Sequence, residues 1–237
     1  MNFSFYSGAV GAQSMQDRMN VIANNIANLN TEGYKTKNGT FSDLVYSQMG
    51  SGQGVQAGLT HGSGSKLSKT DTIFDQGNLT PTGLPLDYAI NGDGFFALYD
   101  PETQTRTYTR SGSFQLSRQQ GGEFYITDGN GKWVLDQNGN PITAQSPEGE
   151  YPIGVFVFQQ KNGMQSVGNS EFIPVEKNGN PIATDGQGVL IQGAVEDSNV
   201  DFSKEMAEIL QTQRVYQMSL KMVQTSDEIE STINSLR

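Results

Sequence analysis

The chain has 237 residues, with 28 glycines, no cysteine, one histidine and a formal net charge of −10. Lacking cysteine, it can build no thiolate metal site, disulfide framework, iron–sulfur cluster or Cys nucleophile, and a lone His61 excludes a His-cluster metal site. The acidity opposes nucleic acid and anionic lipid surfaces, which select Lys and Arg, so neither is expected as a partner.

At the N-terminus, apolar or small residues recur at Phe5, Gly8, Ala12, Met15, Met19, Ile22, Ile26 and Leu29. These alternating steps of three and four predict a long helix with a heptad seam. Asn30 to Gly33 ends it, Gly33 being suited to a left-handed turn. We read residues 1–35 as this N-terminal helical segment. Its end is rich in asparagine: Asn24, Asn25, Asn28 and Asn30 are all mediocre helix formers. One reading has them fraying and capping the helix. The other notes that Asn24 and Asn28 stand one turn apart beside the Ile22/Ile26 line, where buried amides fix register between helices.

Residues 36–72 form a Gly/Ser-rich connector with one apolar island at Phe41, Leu44, Val45 and Tyr46. Such a composition is flexible or extended when alone. Residues 73–195 read as an all-β domain of short strands and hairpins. Its runs are Asp87–Ile90, Gly94–Leu98, Thr107–Phe114, Glu123–Thr127, Lys132–Leu135, Ile153–Gln159 and Val189–Gln192. Asn91-Gly92, Asn138-Gly139, Asn162-Gly163 and Asn178-Gly179 are hairpin signals between them. The echo of Asn138–Ile142 in Asn178–Ile182 predicts two similar turns, and a fragment of 73–195 is expected to fold alone.

Residues 196–237 carry the second helix. Ser198 and Asp201 precede Phe202 as a helix start. The seam then runs Phe202, Met206, Ile209, Gln213, Tyr216, Leu220, Val223, slips phase, and continues through Ser226, Ile229, Ile233 and Leu236. At 1.5 Å per residue the two helices span about 38 Å and about 54 Å, and the second must protrude from any compact globule of this size. Either the helices form an intramolecular antiparallel pair, or both termini build a coiled coil whose outer faces are left for neighbouring subunits. Leu210, Val215, Met218 and Met222, off the first seam, favour the second reading.

Little catalytic chemistry is visible. His61, in a Gly/Ser stretch, has neither orienting partner nor dry pocket and reads as a solvated loop residue. Asp136-Gln-Asn-Gly-Asn140 begins like a calcium loop, but Pro141 stands where glycine is required and Pro147 where the bidentate glutamate belongs. It reads as a turn, as does Asp128–Gly131. No phosphate-binding Gly-Lys-Ser/Thr loop occurs, and no local pattern selects a pair among the 25 acids. No run approaches 18 apolar residues, so no membrane span is expected. Met1–Ser7 lacks the regions of a cleavable signal peptide. On these signs alone the chain would be cytoplasmic.

Several segments, in order, closely resemble the signatures of the bacterial flagellar axial proteins, the rod and hook family. They are Ala23–Lys35, Gln76-Gly-Asn-Leu79, Leu86–Phe96, Tyr108–Phe114, Gln192–Asp201, Glu205-Met206 and Gln213–Gln217. The landmarks look most like those of distal-rod members; proximal rod and hook members share many, and the hook's added outer domain has little room here. Between Pro141 and Ile153 the chain allows only a short connection where the family commonly has a longer β section. The resemblance implies a structural subunit, not an enzyme, with no cofactor and an α+β fold: long N- and C-terminal helices pairing as a coiled coil around a central β domain. It implies helical self-assembly into a hollow tube that transmits torque through the envelope. The implied partners are further copies of itself, other rod and hook subunits, envelope rings and the flagellar type III export apparatus. Export without a cleaved signal would place the protein in the basal body, replacing the cytoplasmic expectation.

Combining that resemblance with the seams, the expected subunit-interaction residues are Met15, Met19, Ile22, Asn24, Asn25, Ile26, Asn28 and Leu29 on the first helix. On the second they are Met206, Ile209, Gln213, Tyr216, Leu220, Ile229 and Ile233. Before assembly both helices are expected to be largely disordered, since each alone has little to bury against. The rival classes are a carbohydrate-active enzyme with paired acids in a cleft, and a stalked adhesin, which would ordinarily carry a secretory signal and longer heptads.

Overall fold

The computed structural model describes residues 3–48, 60–118, 122–144, 146, 149–184 and 190–236. They form an α+β chain that divides into two compact units. A helix unit is drawn from Met1–Ala27, Lys37–Asp71 and Asp201–Arg237, and a β unit from Asn28–Thr36 and Thr72–Val200.

In the helix unit, α1 spans Phe3–Ala27 and α2 spans Phe202–Ser235. The start of α2 is fixed by Asp201, whose Oδ1 accepts from Ser203 N–H at 2.9 Å and Lys204 N–H at 3.2 Å, an N-cap that satisfies two otherwise orphaned donors. The helices run antiparallel. Ser4 Oγ lies 2.9 Å from Ser226 Oγ near one end, and Arg18 pairs with Glu208 at 3.3 Å toward the other. Close approach depends on small residues: a Cβ on Gly8 would sit 3.0 Å from Val223 Cγ2, and one on Gly11 3.4 Å from Ser219 Oγ.

The described part of the connector, which excludes residues 49–59, is more ordered than its composition predicts. Strands β1 (Lys37–Asp43) and β4 (Ser65–Thr72) pair, with Leu44 N–H donating to the Gly64 carbonyl at 2.8 Å. Strands β2 (Tyr46–Gln48) and β3 (Thr60–Gly62) extend the ribbon, so His61 occupies a strand rather than a loop. The polar residues alternate with Phe41 and Leu67, and backbone pairing supplies what side-chain burial does not.

The β unit contains thirteen described strands. They are β5 (Leu79–Pro81), β6 (Tyr88–Ile90), β7 (Phe95–Tyr99), β8 (Arg106–Thr109), β9 (Gln115–Arg118), β10 (Phe124–Thr127) and β11 (Trp133–Val134). They continue with β12 (Val155–Val157), β13 (Gln165–Gly168), β14 (Glu171–Ile173), β15 (Ile182–Thr184), β16 (Leu190–Gln192) and β17 (Ala194–Glu196). Nine form one antiparallel sheet in the order β13-β14-β8-β7-β11-β10-β9, with β12 bridging β7 and β15. Strand β7 explains its own apolar run: Phe96 and Leu98 enter one core cluster, Phe95 and Ala97 another, so both its faces are buried. The second cluster is largely aromatic, Phe74 meeting Phe95 and Phe172 edge-on at 5.3 and 5.0 Å.

The turns differ from the sequence reading. Among the four Asn-Gly pairs, only Asn138-Gly139 closes a local hairpin, with the Leu135↔Pro141 bridge around it. Asn91-Gly92 carries the chain from β6, which pairs with β16, to β7 in the large sheet. The described hairpin turns that join consecutive strands are nucleated instead by Asp100, by Asp128, and by Asn169-Ser170, whose φ values of 49° and 58° are the primed-turn signature. The Asn138 and Asn178 segments are not alike. Asn138 is exposed in its turn, whereas Asn178 is fully buried at the end of a short 3-10 helix and donates to the Gln160 and Asn162 carbonyls.

Candidate subunit-interaction site

On α1, Ile22 is buried at 2% exposure, Met15, Met19 and Ile26 are half-buried, and Ala12 is buried beside them. The buried amide is that of Asn25, not Asn24: Asn25 is 2% exposed, while Asn24 faces outward. The Asn25 side chain replaces a backbone partner for the chain just beyond the helix. Its Oδ1 accepts from Lys37 N–H at 2.9 Å and its Nδ2 donates to the Lys37 carbonyl at 2.9 Å. Asn28 and Leu29, both half-buried, belong to the β unit.

On α2 the face that meets α1 is offset from the apolar count. It comprises Glu205, Ile209, Thr212, Tyr216, Ser219, Val223 and Ser226, with Glu205, Thr212 and Ser226 fully buried. Ile209, Tyr216, Val223 and Ser226 are shared with the seam read from the sequence. A count of apolar residues skips small polar ones whose hydroxyls are satisfied on the spot, as Thr212 Oγ1 is by the Glu208 carbonyl at 2.7 Å. In consequence Met206 and Leu220 are each 39% exposed, Gln213 is exposed, and Ile229 and Ile233 are more than half exposed. Leu210, Met218 and Met222 lie outward too, Met218 at 72%. The helix thus closes on α1 with a mixture of small, polar and apolar groups and leaves several bulky apolar side chains exposed.

The β unit holds a second constellation, which local sequence patterns do not single out. Lys35, Arg110 and Glu196 are each at most 1% exposed. Lys35 Nζ donates to Glu196 Oε1 at 2.5 Å and to the Asp75 carbonyl at 2.7 Å. Arg110 donates to Glu196 Oε2 at 3.0 Å and to the Gly92 carbonyl at 2.8 Å, with its guanidinium 5.4 Å from the centre of the Phe95 ring. Gly77 N–H adds a bond to Glu196 Oε1 at 2.8 Å. Burial pushes the Lys35 ammonium below the usual lysine range, opposed by the attraction of Glu196. Glycines make room around this knot: a Cβ on Gly33 would meet the Arg110–Ser111 backbone, and one on Gly112 would collide with the Tyr88 carbonyl. Beside it Asn199 accepts from Thr36 N–H at 2.7 Å and donates to the Ile73 and Asp75 carbonyls. Both Glu196 oxygens are occupied by donors, so this carboxylate holds the knot together.

Among the described residues, no group of three or more His, Cys, Asp or Glu side chains converges to hold a metal, and no helix is long and apolar enough to cross a membrane.

Comparison with known proteins follows the same segments. Residues 5–35 match the family "Flagella basal body rod protein", 89–196 match "Flagellar hook protein FlgE/F/G D1 domain", and 191–236 match "Flagellar basal body rod FlgEFG protein C-terminal". The chain is 33% identical over 261 aligned positions to the flagellar basal-body rod protein FlgG of Buchnera aphidicola subsp. Schizaphis graminum, covering 98% of this chain and 99% of the relative. It is 34% identical to the FlgG of Bacillus subtilis, covering 99% of this chain and 98% of the relative. It is 27% identical to the flagellar hook-basal body complex protein FlhP of the same organism, with 99% of each chain covered. The alignment to the Buchnera protein is longer than the 237 residues of this chain, so that relative carries residues with no counterpart here.

Proposed function

The chain belongs to the flagellar basal-body rod FlgEFG family, and we propose that it is the structural, non-enzymatic subunit of the distal rod. In this reading it stacks helically on further copies of itself, on other rod subunits and on the hook, forming a hollow tube that transmits torque. A head-to-tail contact that does not close on itself generates such a helix, and it requires one subunit surface to fit a different surface of its neighbour. The observation that carries the reading is the row of bulky apolar residues left outward on α2, from Met206 through Met218 and Leu220 to Ile229 and Ile233. In the tube these residues, with Met15, Met19, Ile26 and Leu29, pack between subunits in a coiled-coil inner layer, while Ile22 is buried within its own chain. The helix pair is only weakly held in the free subunit and is completed on addition to the growing tip. The Gly/Ser-rich ribbon lies along neighbouring subunits. The protein reaches the basal body through the flagellar type III apparatus, without a cleaved signal, and meets the envelope rings there.

Electron microscopy of the concentrated protein tests this: tubes are expected from the natural chain. Ile26→Asp is expected to abolish them while the emission of Trp133, the single tryptophan, still reports a folded β unit. Normal tubes from Ile26→Asp would remove the helix seam from the assembly surface. A persistent monomer with hydrolase activity would overturn the structural reading altogether.

A further inference from the structure

We propose that Glu205 is a proton-operated latch on the terminal helix pair, which closes fully when this carboxyl is neutral and is held loosely when it is ionised. Glu205 lies on the α2 face that meets α1 and is 5% exposed. Its Oε1 accepts from Asn25 Nδ2 at 3.1 Å, and its Oε2 is buried with no hydrogen-bond partner. Asn25 cannot supply a second donor, because the same Nδ2 is shared with the Lys37 carbonyl and its Oδ1 is taken by Lys37 N–H.

The charged groups around the latch do not neutralise it. From α1, Arg18 is committed to Glu208 at 3.3 Å. On α2 itself, Lys204 precedes Glu205 and is exposed, and Glu208 adds a like charge within one turn. From β1, Lys37 presents its backbone. Among the described residues no Lys or Arg side chain forms an ion pair with Glu205. This is the opposite of the Glu196 site, and an ionised carboxylate with one dry, unpartnered oxygen is costly where a neutral carboxyl is much less so.

Burial accordingly pushes the Glu205 carboxyl above the usual glutamate range, Glu208 adds to the effect, and Asn25, Lys204 and Arg18 oppose it. The native pair therefore binds the proton more tightly than the unfolded chain does. Its stability is greatest at low pH and falls as pH rises from the unfolded through the folded value. The rest of the seam mixes small and polar residues such as Thr212 and Ser226 with half-buried Ile209, Tyr216 and Val223. The latch acts within one chain, so it stands or falls independently of the rod assignment.

Native-state hydrogen exchange on the dilute full-length protein tests it, following the amides of residues 209–223 between pH 5 and 8 after correction for intrinsic rates. Protection is expected to fall with rising pH, about tenfold for each pH unit between the unfolded and folded values. Glu205→Gln and Glu205→Met, neither of which titrates, should hold protection constant, while Glu208→Gln should retain the slope. A flat profile in the natural chain, protected or unprotected, overturns the latch. So does a slope that survives in either Glu205 variant.

Discussion

Both units of this protein bury glutamates, and Glu196 in the β unit and Glu205 in the helix unit are treated in opposite ways. In the β unit, Glu196 is surrounded by Lys35, Arg110 and Gly77 N–H, with both oxygens occupied. In the helix unit, Glu205 has a single amide donor and a bare oxygen. The hydrophobic residues follow the same division. Phe95, Phe96, Ala97 and Leu98 are at most 1% exposed, whereas Leu210, Met218, Met222, Ile229 and Ile233 are all more than half exposed. The β unit pairs its buried glutamates with cations, Glu171 with Lys132 and Glu196 with Lys35 and Arg110, and closes its core. The helix unit leaves both unfinished, as the proposal that other copies complete it requires.

That contrast predicts where the β unit ends. A fragment of 73–195 omits Lys35 and Glu196 together and leaves the Arg110 guanidinium buried with no carboxylate. It is expected to lose its cooperative melt, contrary to the expectation from sequence alone, while a 28–200 fragment, which retains the whole knot, melts cooperatively by Trp133 emission. Equal melts from the two fragments would show that the knot is dispensable and that the β core closes without it.

A smaller effect is expected from single changes in the knot. Glu196→Gln leaves two buried cations facing a neutral amide, and breaking a buried pair in this way costs about 3–5 kcal/mol in denaturant unfolding. Lys35→Met leaves Arg110 and Glu196 paired and should cost far less, since an apolar side chain of similar length suits a site that already disfavours the ammonium. The asymmetry is the point: equal losses would mean that the lysine, not the carboxylate, organises the cluster.

The helices were legible because their signal is local and periodic, and β7 because a strand buried on both faces is a continuous apolar run. The knot was not, because its members are far apart in the chain: Lys35 and Glu196 are separated by 161 positions, and Arg110 and Glu196 by 86. The one hint was a glutamate following Ala194 and Val195 in a short strand that proves wholly buried. The Asn-Gly pairs misled for a related reason. Gly92 is held by distant side chains, its carbonyl by Arg110 and its N–H by Gln76, so the turn serves a long-range junction rather than a hairpin. The α2 seam was only partly legible. Ile209, Tyr216 and Val223 lie on the face that meets α1, but Glu205, Thr212 and Ser219 on the same face have no hydrophobic signature, while Met206, Leu220, Ile229 and Ile233 point away from it.

The smallest expected effect on the free subunit is also the one that bears most directly on assembly. Met218 is 72% exposed, so Met218→Ser removes no intramolecular contact of consequence and should change the stability of the isolated chain by no more than about 0.5 kcal/mol. If the outward face of α2 is completed by neighbouring copies, the same change removes a buried thioether from each repeat of the tube and replaces it with a hydroxyl that must be desolvated. The critical concentration for tube formation should therefore rise while melting of the dilute chain stays constant. A change in the monomer melt would mean that Met218 packs within one chain. An unchanged critical concentration would place the assembly surface on another face of the helix.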